Sequence, residues 1–96
     1  MFVVLLNYTS PIEAIDELLD DHLDYLRQQY ASGVFVLSGP QEPRSGGVII
    51  ARAASRAELE AILAQDPFQR AGVAEYSLIE FRPRMTAAGL EELREL

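Results

Sequence analysis

The chain opens on Phe2-Val3-Val4-Leu5-Leu6, apolar at every position rather than at alternate ones. A β-branched run of this kind reads as a strand covered on both faces. Asn7 to Pro11 breaks it, with Ser10 the expected N-cap and Pro11 the expected first helical residue, where a missing N–H costs nothing. Ile15, Leu19, His22, Leu23, Leu26 and Tyr30 then recur at helical spacing, and Gly33 lies where a left-handed C-cap belongs. The opposite face carries Asp16, Asp20 and Asp24 and reads as solvated.

Val34 to Leu37 reads as a second strand, ended by Ser38-Gly39-Pro40. A Pro- and Gly-rich loop over Gln41 to Gly47 leads to a third, Val48 to Ala51. Ser55 followed by Glu58 is a capping-box pattern that opens a helix burying Leu59, Ile62 and Leu63. Asp66-Pro67-Phe68-Gln69 starts a short turn, released at Gly72. Val73 to Arg82 is the fourth strand, with Ser77, Ile79 and Phe81 on one face and Tyr76, Leu78 and Glu80 on the other. Beyond Pro83, the tail from Thr86 to Leu96 has a helical pattern along Leu90 and Leu93 that Gly89 weakens.

This order is β-α-β-β-α-β: an α+β, ferredoxin-like fold with a four-stranded antiparallel sheet and two helices on one face. Two helices leave the second face bare, yet the first three strands are apolar on both. A twofold dimer packed sheet against sheet covers that face, so a homodimer is expected.

Composition narrows the picture. With 96 residues the chain makes a single domain over residues 1–96, a core over 1–83 and a tail over 84–96. Hydrophobic residues at 49% and charged residues at 24% are too apolar a mixture for disorder. A net charge of −7 with scattered basic residues opposes nucleic-acid binding. Phe2 to Leu6 is too short to span a bilayer and lacks the flanks of a secretory signal, so no membrane association is expected. The absence of cysteine removes thiolate chemistry and suits a cytoplasmic location.

His22, the only histidine, shares its helical stripe with Leu19 and Leu26 and points at the sheet. A histidine so placed is more often a core residue satisfied by a hydrogen bond than a catalyst. Asp66 before Pro67 is first of all a helix cap. The two roles are compatible, because a carboxylate can cap with one oxygen and accept from an imidazole with the other. Ser38-Gly39-Pro40 and Gly46-Gly47 bracket the long loop, and Ser38, Gly39 and Arg44 are candidate substrate contacts of a pocket it lines, although Gly and Pro there also serve backbone geometry alone. No phosphate-binding glycine pattern occurs, and one histidine without cysteine argues against a zinc site, so no metal and no organic cofactor are expected.

Taken jointly, His22-Leu23 with Tyr25-Leu26, Gly33, Ser38-Gly39-Pro40-Gln41, Gly46-Gly47-Val48-Ile49, Ser55 with Glu58, Asp66-Pro67-Phe68, Gly72 and a last strand ending at Pro83 resemble the YCII-related family. The resemblance covers Met1 to Pro83. It implies a ferredoxin-like fold of the dimeric α/β-barrel superfamily and a pocket in which His22 and Asp66 form an acid–base pair. It also implies a small-molecule lyase or hydrolase-like activity, including removal of hydrogen halide from chlorinated rings in some members. Many members carry an arginine three positions before the histidine, where this chain has Leu19; Arg44 is the candidate to replace it. Two readings stand: an enzyme using His22 and Asp66, or a non-catalytic module binding a small metabolite in the same cleft.

Overall fold

The computed structural model describes residues 1–95. Strands β1 (Phe2–Tyr8), β2 (Phe35–Pro40), β3 (Gly46–Ala51) and β4 (Ala74–Glu80) form one antiparallel sheet in the order β2-β3-β1-β4. Helices α1 (Ile12–Ala31) and α2 (Arg56–Leu63) and the single turn α3 (Pro67–Arg70) complete the βαββαβ arrangement. Among the described residues, no helix is long and apolar enough to cross a membrane.

Register explains where the core lies. Phe2, Val4 and Leu6 of β1 pair with Ala51, Ile49 and Gly47 of β3 and with Glu80, Leu78 and Tyr76 of β4. Strand side chains alternate, so these residues share one face. There Phe2, Val4, Leu6, Ile49 and Ala51 meet Ile15, Tyr25, Leu59, Leu63 and Phe68 from the helices. Val3, Leu37, Ile50 and Ile79 align across all four strands on the opposite face. Leu37 and Ile79 remain more than half exposed, at 57% and 54%.

Several boundaries differ from those read along the sequence. Pro11, not Ser10, is the N-cap of α1: its ψ of 153° is extended, and its carbonyl accepts from the N–H groups of Ala14 and Ile15. No side chain caps this end. Ser38-Gly39-Pro40 does not end β2 but lies within it, paired with Ile49, Val48 and Gly47. Because β2 is an edge strand, the missing N–H of Pro40 can face outward without breaking a ladder. On α1 the deepest residues are Ile15, His22 and Tyr25, whereas Tyr30 is exposed. The tail forms only a 3₁₀ turn at Glu91–Leu93, with Gly89 at a φ of 94°. A residue in the left-handed region cannot continue a right-handed helix, and the last residue of the expected tail helix, Leu96, lies outside the described residues.

The other expected caps form. Ser55 Oγ accepts from the Glu58 N–H at 3.1 Å. Gly33, at a φ of 82°, closes α1 with Gly33 N–H to Tyr30 O and Val34 N–H to Gln29 O, a Schellman pair.

Gly46 and Gly47 make opposite demands. A Cβ on Gly46 would stand 1.8 Å from the Leu6 carbonyl oxygen, whereas one on Gly47 would meet only Gly39 O, at 3.5 Å. Urea unfolding should therefore show Gly46→Ala losing about 3 kcal/mol or more, because β1 and β3 must separate. Gly47→Ala should stay within about 1 kcal/mol of wild type, and Gly33→Ala should lose about 1 kcal/mol through its positive φ. Equal stability of the Gly46 and Gly47 variants would contradict this packing of β3 on β1.

Candidate active site

The residue before a proline is held extended, which is the backbone an N-cap requires. Asp66 obeys both constraints, with φ −63° and ψ 127°, and its Oδ1 accepts from the Phe68 N–H at 3.0 Å. The same Oδ1 lies 2.8 Å from Nδ1 of His22. Oδ2 accepts from the Tyr76 hydroxyl at 2.5 Å. Asp66 is completely buried, so these three protein groups replace its water. A carboxylate only accepts, and Nδ1 of His22 is therefore the protonated nitrogen of the neutral ring.

Packing fixes the plane of that ring. The Phe68 ring lies against the imidazole with centroids 3.9 Å apart and planes 8° from parallel. His22 is 8% exposed. Among the described residues no buried side-chain nitrogen or oxygen lacks a hydrogen-bond partner, and Nε2 makes no hydrogen bond to protein. Nε2 is therefore not sealed in the core.

A cavity of about 470 Å³ lies between α1 and the β2–β3 side of the sheet. Its walls are Leu19, Leu23 and Leu26 of α1 with Leu6 and Ile49 of the sheet, and both His22 and Phe68 line it. Pairing places Pro40, Gly47, Leu6 and Tyr76 in one row across the helix-facing side. Gly47 leaves that row without a side chain, and the cavity occupies the space.

Ser38, Gly39 and Arg44 also line the cavity. Ser38 Oγ is 2.5 Å from the Tyr30 hydroxyl. Gly39 contributes backbone, since alternation sends its α-substituent to the side of Leu37. Arg44 Nη2 donates to Asp16 Oδ1 at 2.7 Å, tying the β2–β3 loop to α1. That hydrogen bond raises the pKa of the guanidinium further. Leu19, where the resemblance leads one to expect arginine, contributes apolar wall. Among the described residues no group of three or more carboxylate, imidazole or thiol side chains is placed to hold a metal ion.

The sequence alone did not mark Tyr76 or Phe68 as residues of this site. One signal was available for Tyr76: a tyrosine on the core face of a strand needs a partner for its hydroxyl. That the partner is Asp66 depends on the register of β4 against β1.

Burial foremost, and then the negative charge of Asp66, push the phenols of Tyr76 and Tyr25 well above their usual value of 10.0. The Tyr25 hydroxyl donates to the Ile62 carbonyl at 2.8 Å. The folded chain thus keeps two protons that the unfolded chain releases. Their contribution to stability is complete below pH 10.0 and falls as the pH rises beyond it. In an alkaline titration, the tyrosinate absorbance removed by Tyr25→Phe and Tyr76→Phe should appear together with loss of helical circular dichroism. Ionisation of either phenol in the folded protein would contradict the site geometry.

No curated protein matches the chain. The solved structure of 5-chloro-2-hydroxyhydroquinone dehydrochlorinase (TftG) from Burkholderia phenoliruptrix AC1100, in complex with 2,5-dihydroxybenzoquinone, superposes with a TM-score of 0.72. The match covers 86% of this chain and 95% of that one at 20% sequence identity, a likeness of fold. The family model of the YCII-related domain matches residues 1–82, and the chain belongs to that family.

Proposed function

We propose that the protein is a small-molecule enzyme in which His22 is the proton-transfer group and Asp66 its orienting partner. The observation that carries this reading is the one-sided imidazole. Nδ1 is committed to a buried carboxylate, the ring is clamped on Phe68, and Nε2 is left free beside a cavity. A histidine serving only the core would have both nitrogens satisfied. In the forward step Nε2 accepts a proton from the substrate, and the imidazolium so formed is stabilised by Asp66. In a dehydrohalogenation the electrons released form a new π bond, and halide departs with its bonding pair. The sum is one proton and one halide lost, with no oxidant required. Ser38, Gly39 and Arg44 contact the substrate in this reading. A cytoplasmic setting suits a cysteine-free enzyme of this type.

The open face of the sheet supports a homodimer. Val3, Leu37, Ile50 and Ile79 make a continuous apolar row, and Leu37 and Ile79 in it stay more than half exposed. Rows of this kind are ordinarily buried against a partner, and a twofold axis supplies a complementary one.

Chloride release from 5-chloro-2-hydroxyhydroquinone tests the enzyme. His22→Gln should lower kcat by about 10²–10⁴-fold. It should leave binding of 2,5-dihydroxybenzoquinone within a few fold, whereas Gly47→Val should abolish that binding by filling the cavity floor. Binding without turnover, unaffected by His22→Gln, would instead favour the non-catalytic module. For assembly, sedimentation velocity at micromolar concentration should give a dimer that Leu37→Asp or Ile79→Asp converts to monomer. A monomeric wild type would rule the sheet-to-sheet dimer out.

A further inference from the structure

We propose that Tyr76 is a positioning residue: its hydroxyl, by occupying Oδ2 of Asp66, reserves Oδ1 for His22 and holds the imidazole as the Nδ1–H tautomer with Nε2 unprotonated toward the cavity. The inference rests on the reading of His22 as the base, but its test needs no turnover.

Asp66 has no exposed surface, so water cannot serve Oδ2. Among the described residues, the only hydrogen bond that oxygen accepts comes from Tyr76, at 2.5 Å. Without it the carboxylate would hold a buried, unpaired oxygen beside two donors crowded on Oδ1, the Phe68 N–H and Nδ1 of His22. Rotation of the carboxylate would share those donors between its oxygens and loosen the bond to His22. A buried acceptor left unpaired is costly enough to drive such a rearrangement.

The three groups also come from three elements: His22 from α1, Asp66 from the cap of α3 and Tyr76 from β4. Tyr76 stands opposite Leu6, on the central strand that walls the cavity. Its hydroxyl therefore ties the His22–Asp66 pair to the sheet. Tyr25, the other buried tyrosine, cannot substitute, because its hydroxyl is committed to the Ile62 carbonyl. Burial and the adjacent carboxylate keep the Tyr76 phenol protonated, so it donates to Asp66 without competing for the proton that His22 takes up.

The single histidine makes the test unambiguous. In the wild type, ring ¹⁵N shifts should show Nδ1 protonated and Nε2 bare. Tyr76→Phe should mix the two tautomers and slow carbethoxylation of His22 by diethyl pyrocarbonate about five- to tenfold, the worth of one hydrogen bond. Should Tyr76→Phe fail to fold, 3-fluorotyrosine at position 76 retains the bond with a stronger donor. It should move the His22 Nδ1–H resonance upfield by drawing charge from Oδ1. An unchanged tautomer and carbethoxylation rate in Tyr76→Phe would overturn the proposal, as would an unmoved Nδ1–H resonance in the fluorinated protein. Coupling of Tyr76 to the His22 tautomer in a protein that turns nothing over would instead uphold the positioning role and remove the enzyme reading.

Discussion

A carboxylate with no contact to water must find all its hydrogen bonds inside the protein, and much of this structure is organised around that requirement at Asp66. One donor is local, the N–H of Phe68, and comes with the capping geometry of the Asp-Pro pair. The other two are distant in sequence, His22 from 44 residues before and Tyr76 from 10 residues after. Meeting the requirement pulls α1, α3 and β4 to a common point. It also sets which imidazole nitrogen faces the cavity. Loss of any one donor would leave charge exposed to a low-dielectric interior, which costs far more than an ordinary surface contact.

The surroundings of this point divide into a rigid and an open side. Phe68 is fully buried, and its ring holds the imidazole nearly parallel to itself. On the other side Gly47 withholds a side chain from the row that Pro40, Leu6 and Tyr76 complete, and the leucines of α1 form a wall across the gap. The neighbouring Gly46 is present for another reason: the Leu6 carbonyl comes too close for any Cβ. Two adjacent glycines thus answer separate needs, one for strand approach and one for empty volume. The single cation on the lining, Arg44, is held by Asp16, which leaves the cavity predominantly apolar.

Much of the fold is legible along the chain because it follows from local rules. Apolar runs, the Ser55 cap, the Asp66 cap and the left-handed Gly33 each depend on residues within a few positions of one another. The misplacements are also local in origin. Ser10 has the chemistry of an N-cap, but the extended ψ of Pro11 starts the helix one residue later. Ser38-Gly39-Pro40 has the composition of a turn, yet an edge strand tolerates it because one side of an edge needs no partner. Tyr25 is buried one turn from His22, its ring packed between His22 and Phe35, whereas Tyr30 is exposed.

By itself, the sequence determined the element order, the histidine turned toward the sheet, the aspartate poised as a cap, and an apolar second face on the sheet. These follow from periodicity and from backbone preferences that act over one turn or one strand. Tertiary structure decided that Asp66 and His22 meet, that Tyr76 joins them, and that the gap at Gly47 becomes a cavity. Those outcomes depend on register. A shift of one residue between β1 and β4 would turn Tyr76 to the opposite face of the sheet, and no local preference in the chain specifies which pairing is adopted.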